Sequence, residues 1–221
     1  MKLNYYRGSW PLQLEYAPCD LHFVEYLEAR KIAGKSIFHF GTGEHHLVGR
    51  SNYERGNPNE VFGITASKEE HDAYIDFIIG APAASNFYRV VFGDIYTLSA
   101  RMLPAFDIVT LFHLGEYYDD CPAGTPELNS EYARLNDATM LELFLSKLNP
   151  GGKIIFFTGS GGLISRREPG LKVISTEMGA MLEGDRHGVD VINGFLSSGR
   201  MTIEEQYESL LICAGPASAK L

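Results

Sequence analysis

Two short stretches of this chain constrain its fold more than the rest. Ser36 to His46 reads S-I-F-H-F-G-T-G-E-H-H, and Leu148 to Phe157 reads L-N-P-G-G-K-I-I-F-F. The first is a short apolar strand running into a turn bounded by Gly41 and Gly43. The second is a Pro-Gly turn feeding a strand of β-branched and aromatic residues. Glycines at 41 and 43 carry no Cβ, so a ligand can approach the backbone there. The turn sits at the carboxyl end of a strand, where open α/β sheets bind their ligands.

Strands and helices alternate around this pair. Ile37 to Phe40 is the first core strand, Val61 to Thr65 the second and Tyr88 to Phe92 the third. Phe106 to Phe112 is the fourth, an almost unbroken apolar run as expected of a strand buried on both faces. Lys153 to Thr158 is the fifth. Asp20 is placed to cap a helix running to about Ala33 and ended by Gly34. Leu47 to Tyr53 belongs to the helix or loop after the first strand. Ser67 is placed to cap the next helix, with Glu69 and Glu70 in its first turn, where the helix dipole favours them. Leu135 to Leu148 has the spacing of an amphipathic helix through Met140, Leu141, Phe144 and Leu145. Asp119 to Ser130 and Ser160 to Leu163 read as connections. In the tail, Val173 to Glu183 is expected to hold a helix. Val189 to Phe195 and Ser209 to Ala214 are expected to be strands pairing antiparallel at the sheet edge. The alternation predicts a doubly wound, Rossmann-like α/β sheet, mostly parallel with an antiparallel edge. One domain is expected over 1–221: an N-terminal lid and helix at 1–34, a binding core at 35–158, and closing edge strands at 159–221.

Composition narrows the function. The chain has 221 residues, 45% of them hydrophobic, and a formal net charge of -9. That length is enough to bury a full α/β core. An acidic surface disfavours the phosphate contacts of nucleic-acid binding, and the basic runs Arg30-Lys31 and Arg166-Arg167 are too short for a groove. No apolar stretch approaches the roughly 20 residues of a membrane span, and the first residues carry no apolar signal region. Cys19, Cys121 and Cys213 are far apart with no CxxC, which reads as reduced thiols in a cytoplasmic setting. His45 and His46 are adjacent and do not share a helix face, and His113 with Glu116 lacks a third ligand, so no metal site is expected. The absence of G-x-S-x-G disfavours an α/β-hydrolase. Oligomeric state stays open.

Six runs follow one another in a telling order: His39-Phe40-Gly41-Thr42-Gly43-Glu44-His45, Phe62-Gly63-Ile64-Thr65-Ala66-Ser67, Phe92-Gly93-Asp94-Ile95, Phe106-Asp107-Ile108-Val109, Phe112-His113-Leu114-Gly115-Glu116-Tyr117, and Leu148-Asn149-Pro150-Gly151-Gly152. Across roughly residues 35 to 158 this series resembles the class I S-adenosylmethionine (SAM)-dependent methyltransferases. The resemblance implies SAM as cofactor and a small-molecule methyl acceptor. It implies that the backbone of His39, Phe40, Gly41, Thr42 and Gly43 meets the methionine part. His39 stands where the family has an acid, and His45 where it has a third glycine. Thr65, with Ala66, stands where the family has its ribose-binding acid; the G-I-T-x-S run is similar to that of the cyclopropane-fatty-acid-synthase-like enzymes. Asp94 would accept the adenine amino group and Ile95 flank the ring. Phe112 and His113 would face the donor methyl, with His113 either a general base, oriented by Glu116, or a wall of the adenosine pocket.

Two alternatives stay open. The departures at 39, 45 and 65 fit a non-catalytic SAM-binding or interaction protein. A nicotinamide-dependent enzyme would need glycine at 46, which is His, and an acid after the second strand, which is Thr. The aromatic N-terminal segment, with Tyr5, Tyr6, Trp10 and Tyr16, either closes over the site, where aromatic faces attract a sulfonium, or packs on the core.

Overall fold

Side chains alternate along the strands, and the alternation sorts the core onto two faces. In β1 (Ser36–Phe40), Phe38 and Phe40 join one apolar cluster and Ile37 the other. The first cluster is covered by α4 (Asp137–Leu145) and α5 (His187–Ser197). The second is covered by α1 (Cys19–Ala29), α2 (Leu47–Tyr53) and α3 (Lys68–Gly80). The computed structural model describes residues 8–15, 17–56, 58–115, 133–158, 172–176, 179–183 and 187–215.

The remaining strands of the main sheet are β2 (Glu60–Thr65), β3 (Tyr88–Phe92), β4 (Phe106–Thr110), β5 (Leu148–Phe157), β8 (Thr202–Tyr207) and β9 (Leu210–Ala214). Their order is β3-β2-β1-β4-β5-β9-β8. The first five strands are parallel, and β9 and β8 close the edge antiparallel. The predicted mixed, doubly wound sheet is therefore the observed one. Strand order reverses between β1 and β4, so the ligand crevice of such a sheet opens at their carboxyl ends.

Local chemistry explains the main boundaries. Ser67 caps α3, its hydroxyl accepting from Glu70 N. Asn136 and Thr139 form a reciprocal capping box that starts α4. α1 ends before Ala33 because Lys31 already takes a left-handed φ of 52°. Its N-cap is Pro18, not Asp20, which lies in the first turn and is buried. β5 begins at Leu148 rather than Lys153, and its register against β4 shifts between Phe106 and Ile108. The Pro-Gly-Gly turn is absorbed there. A Cβ on Gly152 would lie 2.9 Å from Asn149 O and 3.2 Å from Asp107 O.

The tail departs from expectation twice. Val189 to Phe195 is helical, within α5, and not a strand. Val189, Ile192 and Phe195 recur every third residue, and all three are buried in the Phe38 cluster. The partner of β9 is instead β8, a polar strand whose side chains alternate between exposed and half-buried. Val173 to Glu183 is not a helix either. It holds β6 (Lys172–Thr176) and β7 (Gly179–Glu183), an antiparallel pair apart from the main sheet. Val173, Ile174 and Thr176 are β-branched and favour the strand. The predicted connections at Asp119 to Ser130 and Ser160 to Leu163 lie outside the described residues.

α2 docks through a glycine. A Cβ on Gly49 would lie 2.2 Å from Cε1 of the buried Tyr88 ring. Gly49→Ala is expected to destabilise the fold by about 1 to 3 kcal/mol through overpacking. Urea denaturation measures it, and a midpoint equal to wild type would refute the close docking.

Candidate functional site

The turn after β1 is built on left-handed backbone. Gly41 has φ +85° and Gly43 φ +57°. The open sides of both glycines are taken up by imidazoles. A Cβ on Gly41 would lie 2.3 Å from His113 Cδ2, and one on Gly43 2.4 Å from His45 Nε2. β4 ends at Thr110, so Phe112 and His113 belong to the turn beyond it. Phe112 is fully buried, and the half-buried His113 ring meets Phe40 edge-on at 5.9 Å.

His39, at the family's acidic position, is buried and faces α1. Its Nδ1 is 2.8 Å from Thr110 Oγ1. Its Nε2 lies 3.6 Å from Asp20 Oδ1, and neither of those two atoms has a hydrogen-bond partner. His45 Nε2 is 3.8 Å from Asp20 Oδ2. Burial holds His45 below its ordinary pKa against the opposing pull of Asp20. A carboxylate therefore does stand behind the turn, but α1 supplies it.

The end of β2 tells a similar story. Thr65 Oγ1 donates to Glu70 Oε2 at 2.6 Å and accepts from Ser67 N at 3.0 Å. Ala66 beside it is half-buried. Glu70, in the first turn of α3, is buried, and its Oε1 accepts from Trp10 N at 3.2 Å. Burial raises the Glu70 pKa; the bonds from Thr65 and Trp10, the nearby His113 imidazole and the Thr42 hydroxyl oppose it. That hydroxyl is itself buried and makes no hydrogen bond of ordinary geometry.

Residues 8 to 10 run over these groups. Gly8 O accepts from the Ser67 hydroxyl, the Ser9 hydroxyl donates to the Glu44 carboxylate, and Trp10 O accepts from Glu44 N at 3.1 Å. Residues 8 to 10 thus lie across Ser67, Glu44 and Glu70, with these hydrogen bonds running through backbone at Gly8 and Trp10. The Trp10 ring is 51% exposed. Tyr5, Tyr6, Tyr16 and Glu116 lie outside the described residues.

His46 locks the turn to α3. Its Nε2 donates to Glu70 O at 2.8 Å, which leaves Nδ1 to accept from the Tyr88 hydroxyl at 2.7 Å. Both bonds fit the neutral imidazole, and burial lowers the pKa to about 4.

Gly93 N donates to Thr65 O at 2.8 Å and joins the ends of β2 and β3. Asp94 and Ile95 follow, both buried. Asp94 Oδ1 accepts from Tyr96 N at 2.9 Å, so this carboxylate also caps a turn. The sequence-predicted residues thus line the carboxyl ends of β1 to β4. Asp20, Glu70 and His46 were not among them. Only the first-turn position of Glu70, five residues past Thr65, could have marked one of them. Among the described residues no group of three or more His, Cys, Asp or Glu side chains is disposed to hold a metal ion, and no helix is long and apolar enough to cross a membrane.

No protein-family model matches the sequence, and no curated protein matches it. Solved structures do. The CcbJ methyltransferase from Streptomyces caelestis is 14% identical, with 94% of each chain covered and a TM-score of 0.57. Magnesium protoporphyrin IX methyltransferase (ChlM) from Synechocystis PCC 6803, with bound SAH, is 14% identical over 94% of this chain and 90% of that one, at 0.54. The cyclase SpnF is 18% identical over 90% of this chain and 64% of that one, at 0.50. With the strand order, the glycine turn at the point of reversal and these likenesses together, the chain has the fold of the class I SAM-dependent methyltransferases.

Proposed function

We propose that this protein binds SAM and transfers its methyl group to a small-molecule acceptor. One observation carries the reading. The left-handed Gly41–Gly43 turn follows β1, and two buried acids follow β2 and β3: Glu70, in the first turn of α3 and bonded to Thr65, and Asp94. That arrangement suits a ligand with an amino-acid end, a ribose and a base. The residues fit the cofactor in their donor and acceptor set: a left-handed glycine turn after β1 and buried carboxylates at Glu70 and Asp94 for polar hydrogens. ChlM, with the same fold, was crystallised with bound SAH, which supports the same ligand here.

Bound SAM supplies an activated methyl group on a sulfonium. The chain's own part is to hold the reactants in line and exclude water. The Gly41–Gly43 backbone would hold the amino-acid end, Asp94 the adenine amino group, and Ile95 one face of the ring. His113, at the mouth between β1 and β4, would take a proton from a hydroxyl acceptor. We further read the protein as cytoplasmic.

A second reading has a specific observation behind it. His113 and His45 fill the space above both glycines, and residues 8 to 10 lie over Glu44 and Glu70. A protein that binds SAM without transferring its methyl group fits this closed state. SpnF, a cyclase with this fold, supports the principle that other chemistry can occupy it.

Calorimetric titration with SAM, SAH and NAD tests the proposal. Binding of SAM and SAH but not NAD is the expected result; no binding of SAM or SAH would end it. Asp94→Ala is expected to weaken SAH binding by about 1 to 3 kcal/mol. Unchanged affinity with lower stability would make Asp94 a turn cap alone.

A further inference from the structure

Glu70 is a buried acid at this edge of the sheet whose two oxygens are both engaged. It is 3% exposed, yet its carboxylate is approached from four parts of the chain. Thr65 reaches it from β2 and Trp10 N from the N-terminal segment. Thr42 from the glycine turn and His113 from the end of β4 lie close enough to bear on its ionisation. Among the described residues no cation bonds to it directly. Burying a carboxylate costs free energy unless partners offset it, and here neutral donors do so.

Those donors differ in permanence. Thr65 is part of the sheet, and its hydroxyl also accepts from Ser67 N. Trp10 N belongs to a short segment outside the sheet whose hydrogen bonds include those to Ser67, Glu44 and Glu70. The buried Thr42 hydroxyl stands near the same carboxylate, with no hydrogen bond of ordinary geometry. The site therefore has a carboxylate oxygen held by a replaceable N–H.

In dinucleotide-binding sheets an acid near the end of the second strand accepts the ribose hydroxyl, because a carboxylate takes such hydrogens well. β2 here ends in Thr65, which carries no carboxylate and whose hydroxyl already donates to Glu70 and accepts from Ser67 N. We infer that Glu70 is the ribose receptor of this site, supplied from α3 through Thr65, and that the Gly8–Trp10 segment occupies it until a nucleoside arrives. The inference rests on the SAM reading above and gives Glu70 its particular role within it. Ligand entry exchanges the Trp10 N–H on Oε1 for a ribose O–H, so one donor replaces another and the buried carboxylate is never left short. The Glu70 main chain stays in place because His46 Nε2 holds its carbonyl.

The test compares SAH with its 2′-deoxyadenosyl analogue by calorimetry. Wild type is expected to prefer SAH by about 10-fold or more, and Glu70→Gln to bind the two within about 3-fold of each other. A merely structural Glu70 would lower stability and leave that preference intact, which would overturn the inference. Should Glu70→Gln fail to fold, the wild-type ratio decides: a value near one overturns it. Trp10→Pro removes the N–H that competes for Oε1. It is expected to tighten SAH binding several-fold with the ribose preference unchanged, and unchanged or weaker binding would overturn the occupancy by Gly8–Trp10. If wild type binds neither ligand, the SAM reading itself fails, an outcome distinct from binding without ribose preference.

Discussion

Acidification from pH 7 to pH 4 is expected to cost the protein about 3 kcal/mol of stability through His46. The imidazole is 1% exposed and bonded at both nitrogens in its neutral form. Burial lowers its pKa from 6.5 to about 4. Between those values the unfolded chain binds the proton and the folded one does not, so unfolding becomes easier as pH falls. The contribution is complete above about pH 6.5 and is lost as pH falls toward 4. Protonation would place an N–H where Nδ1 now accepts from Tyr88. The check is urea denaturation at pH 7, 5.5 and 4 for wild type and His46→Gln. The variant is expected to be less stable at pH 7, with the gap closing as pH falls. A constant gap would show that His46 does not titrate with folding.

His113→Ala is expected to lower the methyl-transfer rate by about 100-fold or more, with SAH affinity within about 3-fold of wild type. The argument is positional. β4 stops at Thr110, and the following turn brings the imidazole onto Gly41, where a Cβ would come within 2.3 Å of it. The ring touches the backbone proposed to hold the amino-acid end of the cofactor, on the side where strand order reverses. An unperturbed imidazole titrates near neutrality and suits removal of a hydroxyl proton. The measurement follows a screen for acceptors with radiolabelled SAM. Equal losses of SAH binding and turnover would make His113 a wall of the cofactor pocket. Full activity would leave it a packing residue.

The core of the fold was legible because its signals are local. β1 to β4 are short apolar runs between turn residues, and their order places the glycine turn where the sheet reverses. The cap at Ser67 is likewise short-range chemistry. The misreadings came where local pattern is ambiguous. Val189, Val191 and Phe195 alternate well enough for a strand, but Val189, Ile192 and Phe195 form the stripe that α5 buries against the Phe38 cluster. β8, T-I-E-E-Q-Y, carries no apolar run because an edge strand needs little of one.

The candidate site divides in the same way. The residues alone marked Gly41 and Gly43 as a turn without Cβ atoms, and the methyltransferase resemblance marked Asp94 and the two positions, His39 and Thr65, where that family has an acid. What stands in place of those acids came from the packing of the helices. Asp20 reaches His39 and His45 because α1 packs its first turn behind β1, and Glu70 reaches Thr65 because Ser67 starts α3 at an angle that turns its third residue inward. Periodicity reports that a residue faces inward, not which strand end it meets. That depends on how the helices dock, and docking is set by the whole apolar surface between helix and sheet.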